Sequence, residues 1–192
     1  MKICIYGASS NEIDKSFTDA GEALGKAIAK NKHSVVFGGG AAGLMGAVAR
    51  GAHSQSGEII GVCPSFFNAD GALFTKCSEM IYTETMRERK QLLEQMSDAF
   101  IVTPGGIGTF DEFFEIYTLR QLGIHKKPIA IFNTNGYYNS LIDMLNNAID
   151  NRFMTDANME LLFISDNCED IIKYIENYNP ADYEAAQFKF IK

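Results

Sequence analysis

AFIVTPGGIGTFDE, residues 99 to 112, decides the fold. Four apolar residues end at Thr103 and Pro104, and three glycines follow before an apolar-periodic stretch running to about Leu122. A short continuous apolar run closed by turn residues reads as a buried strand. The periodic stretch after it reads as a helix, so the segment is a strand–loop–helix unit. Gly105 and Gly106 permit close backbone approach. Gly108 and Thr109 open the helix, where unpaired N–H groups and the positive dipole end favour a phosphate. The alternative is a tight turn in which Thr109 only caps.

The same unit recurs outward in both directions. Strands are expected at 2–6, 34–37, 58–62, 78–82, 129–132 and 159–164. Helices are expected at 12–30, from the second glycine loop to about His53, at 86–96, at about 138–151 and at 169–178, with an irregular excursion over 64–77. The strands are continuously apolar rather than alternating, as a sheet covered on both faces requires. Alternation of strands and helices therefore predicts an α/β fold, a three-layer sandwich around a mostly parallel central sheet. One domain over residues 1–179, with a C-terminal extension over 180–192, accounts for the 192 residues.

Composition narrows the function. Seventeen basic against 24 acidic residues give a net charge of −7, which disfavours nucleic acid as a partner but leaves room for a locally positive pocket. No apolar run approaches membrane-spanning length, and the opening MKICIYGASS is too short in its apolar part for a secretory signal. Cys4, Cys63, Cys77 and Cys168 form no CxxC pair, and each sits in or beside an apolar segment. That is the pattern of reduced thiols in a cytoplasmic protein. The three histidines, His33, His53 and His125, are scattered, so neither a metal nor a cofactor is expected.

A second glycine loop, GGGAAGLMG at 38–46, formally carries GxGxxG from Gly38 to Gly43. It follows the second strand rather than the first, lacks a well-placed acid and lacks the GK[ST] ending, which argues against dinucleotide and P-loop binding alike. Two glycine loops at the carboxyl ends of one sheet instead favour a monophosphate or sugar-phosphate pocket. Ser9 and Ser10, at the end of the first strand, are candidate donors to phosphate or ribose. Phe66, Phe67, Phe74 and Met80 are candidates for closing a base pocket, or core residues.

Two charged residues stand in apolar stripes. Arg89 shares a helical face with Met86, Leu93 and Met96, and Glu112 shares one with Ile116 and Leu119. Either the two form a structural ion pair, or they work on a ligand. Lys90 belongs to a charge run expected to be mainly solvated, and Glu115 is a candidate for the wall that Glu112 lines.

Taken in order, YGASS, GGGAAGLMG, GVCP, MRERK, PGGIGTFDE and TLRQLGIHKKP resemble the Lonely guy family of cytokinin riboside 5'-monophosphate phosphoribohydrolases over residues 2–178. The resemblance implies a Rossmann-like fold, a homodimer and a nucleoside 5'-monophosphate substrate cleaved to free base and ribose 5-phosphate. It places Arg89 and Glu112 at the two essential positions. It also assigns Gly105, Gly106, Gly108 and Thr109 to the phosphate, with Gly39, Gly40, Gly43 and Met45 in the other loop. Met86, Lys90, Ser9 and Glu115 complete the expected substrate-binding set. Arg87 and the YGASS opening depart from the commonest plant pattern. A broader nucleotide nucleosidase and a non-catalytic nucleotide carrier or sensor are the competing functions.

Overall fold

The computed structural model describes residues 1–67 and 71–180. The expected extension over 180–192 therefore lies outside the described residues beyond Pro180. Seven strands form one sheet: β1 (Lys2–Tyr6), β2 (Ser34–Phe37), β3 (Ile59–Pro64), β4 (Glu79–Thr83), β5 (Ala99–Val102), β6 (Ile129–Phe132) and β7 (Leu162–Ser165). Their spatial order is β4-β3-β2-β1-β5-β6-β7, and every pairing is parallel. The helices are α1 (Lys15–Lys30), α2 (Gly43–His53), α3 (Met86–Met96), α4 (Ile107–Gln121), α5 (Asn139–Asp150) and α6 (Cys168–Asn177).

The continuous apolar strands have the expected cause, since both faces are covered. On β1, Ile3 and Ile5 pack into a cluster with Leu24, Val48 and Ile172, from α1, α2 and α6. Cys4 and Tyr6 point the other way, into a cluster with Leu93, Phe113 and Leu145 from α3, α4 and α5. The three-layer α/β sandwich follows from that two-sided burial.

Two element starts moved by three residues. Helix α1 starts at Lys15 rather than 12, because the Asp14 side chain accepts the Ser16 N–H as N-cap. Strand β7 begins at Leu162, since 156–161 coil into a 3-10 turn. Part of the 64–77 excursion is ordered against the sheet: Ala41 N donates to Ala72 O and Phe74 N to Gly39 O, with Gly40 and Leu73 bridged.

The order of strands reverses between β1 and its neighbour β5, the place where parallel α/β sheets open a crevice at their carboxyl ends. The loops after β1, β2 and β5 all meet there.

Candidate active site

A cavity of about 640 Å³ occupies this crevice, within the usual range for small-molecule sites. Its walls include Ser9, Gly40, Arg89, Gly106, Thr109 and Glu112, with Met45, Cys63, Phe67, Leu73 and Met86 making an apolar side.

The two glycine loops are not equivalent. In the loop after β2, Gly43 N–H donates to Asn11 Oδ1 at 3.0 Å and Met45 N–H to Ala8 O at 3.1 Å. Two of the first three amide donors of α2 are thus consumed by the neighbouring loop. Gly43 has φ +60°, and a Cβ there would lie 2.6 Å from Ala8 O. Its role is close approach between loops. Gly39, also left-handed, packs above Met80, and neither Gly39 nor Gly43 lines the cavity, whereas Gly40 and Met45 do.

The loop after β5 is different. Helix α4 has Gly106 as N-cap and no side-chain cap. The first amides of an α-helix have no intrahelical acceptor. Those of Ile107, Gly108 and Thr109 therefore remain as donors where Gly106, Ile107, Gly108 and Thr109 line the cavity. Gly105 is required by packing: a Cβ would stand 2.1 Å from Thr109 Oγ1.

Arg89 and Glu112 meet at the floor. A capping box, Thr85 with Glu88, fixes the start of α3 and so places Arg89 one turn inside it. Arg89 Nη1 donates to Glu112 Oε1 at 2.7 Å, and Arg89 Nε donates to Val62 O at 3.2 Å. The Nη2 edge lies against Gly38, where a Cβ would come within 2.2 Å of it. The guanidinium is thereby held on three sides, and both side chains are nine-tenths buried. Burial raises the Glu112 carboxyl above the ordinary carboxylate range, and the facing Arg89 only partly offsets it.

Several sequence expectations change here. Lys90 is not a solvated residue: its Nζ bridges Asp111 at 3.0 Å and Glu115 at 2.9 Å. Lys90 and Glu115 line a separate cavity of about 200 Å³ with Tyr6, Gln91 and Leu119, not the wall that Glu112 shares. Glu115 stands about 4.5 Å further along α4 than Glu112, away from the helix start that borders the crevice. Asp111, exposed at the same helix start, also lines the large cavity. Ser9 and Ser10 both line it, although the Ser10 hydroxyl already accepts the Glu12 N–H. Phe67 lines the cavity, Phe74 is buried in the core, and Phe66 is exposed outside it. Sequence reasoning missed Gly38, Asn11 and the Val62 carbonyl. Only the run of three glycines signalled the first, and a backbone carbonyl leaves no trace in composition.

A family model described as "Possible lysine decarboxylase" matches residues 45–175. The chain is similar to cytokinin riboside 5'-monophosphate phosphoribohydrolase LOG7 of Arabidopsis thaliana, 32% identical over 93% of this chain and 82% of that one. It is also similar to LOG3 of the same plant, 33% identical over 96% and 86%. Among solved structures, the molybdenum cofactor binding protein from Rippkaea orientalis superposes with TM-score 0.71 at 20% identity, over 91% of this chain and 94% of that one. The molybdenum cofactor carrier protein from Chlamydomonas reinhardtii does so with 0.67 at 19%, over 91% and 95%. At that identity the structural likeness establishes the fold alone.

Proposed function

This chain belongs to the Lonely guy family of cytokinin riboside 5'-monophosphate phosphoribohydrolases, and on that premise we propose how its cavity carries out the reaction. The enzyme is an N-glycosyl hydrolase. It cleaves N6-modified adenosine 5'-monophosphates at the bond between ribose C1' and the purine, with water giving free base and ribose 5-phosphate. The decarboxylase description names a different chemistry, and among the described residues no lysine lines the large cavity, where a pyridoxal phosphate Schiff base would need one.

The open N-terminus of α4 takes the 5'-phosphate, with Thr109 beside it and the amides of Ile107, Gly108 and Thr109 as donors. The apolar side formed by Met45, Phe67, Leu73 and Met86 then faces the base and its N6 substituent. The ribose lies over Glu112. As the glycosidic bond lengthens, C1' gains positive charge, and a buried carboxylate stabilises that charge more strongly than a solvated one. The same carboxylate accepts a proton from the attacking water, and the departing purine, which leaves with the bonding electron pair, takes up a proton in turn, so that water's hydrogens end on the C1' hydroxyl and the free base. Its upward displacement by burial suits proton uptake nearer neutral pH than an exposed glutamate allows. With Nε and Nη1 engaged inside the protein, Arg89 serves chiefly to orient Glu112. The observation that carries the reading is the buried Arg89–Glu112 pair standing in the same cavity as an uncapped helix start.

A product assay over AMP and a panel of N6-modified monophosphates tests it, scoring free base and ribose 5-phosphate. Calorimetry with AMP and adenosine tests the phosphate site. Equal affinities would remove the role given to α4.

We further propose a cytoplasmic homodimer. Four free cysteines support the compartment, and among the described residues no helix is long and apolar enough to cross a membrane. For the dimer, the candidate face is the mixed apolar and polar segment Glu115–Leu122. Ile116, Tyr117 and Arg120 of that segment are buried inside the subunit, but Leu122 and Ile124 stay exposed beside them. Sedimentation over a dilution series that shows only a 21.2 kDa species excludes the dimer.

A further inference from the structure

A loop containing three glycines does not hold its own shape, because glycine has the widest backbone freedom of any residue. What holds Gly105–Thr109 lies outside it. The Tyr138 hydroxyl donates to Thr103 O at 2.7 Å, Ala8 N–H donates to Pro104 O at 3.0 Å, and the Tyr137 hydroxyl donates to Gly105 O at 2.6 Å. Phe110 N–H then closes on Gly106 O at 3.0 Å as the helix begins. Four successive carbonyls are anchored, two of them by adjacent tyrosines.

The tyrosines are set by their own turn. Asn135 and Gly136 are both left-handed, at φ 57° and 67°, and reverse the chain between β6 and α5. Asn133 Oδ1 receives the Tyr138 N–H at 2.7 Å. The Tyr137 ring meets Phe17 edge-on at 5.9 Å and Tyr138 at 5.0 Å.

In a trans peptide the C=O of one residue and the N–H of the next point in opposite directions. Anchoring Gly105 O on Tyr137 therefore turns the Gly106 N–H to the other side of the loop. Gly106 lines the cavity and Tyr137 does not. Anchoring Thr103 O has no such consequence, since Pro104 carries no N–H.

We propose that Tyr137 is a positioning residue for the substrate's phosphate: its hydroxyl, through Gly105 O, aims the Gly106 amide into the site. Tyr138 anchors the end of β5 and supports stability rather than anion affinity. This rests on reading Gly105–Thr109 as the phosphate site.

The test compares Tyr137→Phe and Tyr138→Phe with the wild type, measuring the Kd of AMP, inhibition by inorganic phosphate and by adenine, kcat and KM, and thermal unfolding. Tyr137→Phe is expected to weaken AMP and phosphate together, by roughly five- to tenfold for one oriented hydrogen bond. It should raise KM more than it lowers kcat and leave adenine inhibition and the melting temperature nearly unchanged. Tyr138→Phe is expected to lower the melting temperature and leave the ratio of phosphate to adenine affinity as it was. Unchanged AMP affinity in Tyr137→Phe, equal weakening of phosphate and adenine, or a shift in that ratio as large in Tyr138→Phe overturns the assignment. A wild type that does not bind AMP would instead overturn the functional reading itself.

Discussion

Arg89 Nη1 and Glu112 Oε1 lie 2.7 Å apart, joining α3 to α4 beneath the cavity, with both side chains nine-tenths buried. A buried ion pair by itself is weak evidence for stability, because desolvation opposes the attraction. What distinguishes this one is its place. It forms the floor of a cavity whose rim is an uncapped helix start, and substitutions at three positions separate a working pair from a merely structural one.

Glu112→Gln keeps the size of the side chain and removes its charge. Turnover is expected to fall by about 10²–10⁴-fold, the usual worth of a positioned acid–base group. AMP affinity should change only a few-fold, because the loss falls on the transition state. In the wild type, turnover should decline toward acid with a midpoint above 4.5, the ordinary glutamate value. A folded Glu112→Gln enzyme that releases ribose 5-phosphate at near-normal rate sinks the assignment.

Replacing Arg89 should do more damage. Arg89→Ala strands a buried carboxylate, a loss of roughly 3 to 5 kcal/mol. Arg89→Lys retains a charge but cannot bond Val62 O and Glu112 at once through a planar fork. The lysine variant is expected to fold with a modest drop in melting temperature and to lose at least tenfold in turnover. Parallel unfolding curves and single-turnover assays decide it; full activity in the lysine variant would rule out the orienting role.

Gly38→Ala isolates geometry from charge. The added methyl would stand 2.2 Å from Arg89 Nη2, so the guanidinium must move, while no left-handed backbone angle forbids alanine there. Because the displaced guanidinium is buried and bonded to Val62 O and Glu112, stability should fall by about 1–3 kcal/mol, less than the loss on removing Arg89. Turnover should drop by about tenfold or more, given the sensitivity of catalysis to misplacement on the ångström scale. Retained activity would mean that the position of Arg89 does not matter.

His125 governs a pH effect away from the site. Its Nε2 donates to Ile116 O at 2.9 Å and its Nδ1 accepts the Lys127 N–H at 3.2 Å, which defines a neutral ring. Burial, with Lys127 and Arg120 nearby, lowers its pKa from 6.5 to about 4. The unfolded chain therefore binds a proton that the folded chain refuses between those values. Folding stability contributed by neutral His125 is complete above pH 6.5 and declines as pH falls toward 4, by on the order of 3 kcal/mol over the range. Urea titrations at pH 7 and pH 5 on wild type and His125→Gln check this. An equal loss of stability in both proteins would refute it.

Much of this was legible in the chain before folding. Continuous apolar runs such as Phe100–Val102 and Ile129–Phe132 predicted a sheet buried on both faces, because burial on one face alone demands alternation. Arg89 and Glu112 were conspicuous because a charge in an apolar stripe needs a partner, and each was found opposite the other. Helical spacing is a local property, and the backbone enforces it wherever the helix lies.

What the chain left open depended on distance in space. Nothing in GGGAAG and PGGIGT said which loop keeps its amides free. That was decided by Asn11 and Ala8, which reach the first loop from another strand's end. Lys90, from MRERK, and Glu115, read from its helical spacing to Glu112, face a second cavity with Tyr6, since Glu115 lies almost a turn further from the helix start that borders the crevice. Tyr137 and Tyr138 lie more than thirty positions from the carbonyls they hold. The sequence by itself determined which segments are helix and strand and which charges are anomalous, because those follow from periodicity and burial. Only the tertiary structure decided which donors remain unspent around the cavity, because hydrogen-bond satisfaction is settled between segments that meet only after the chain has folded.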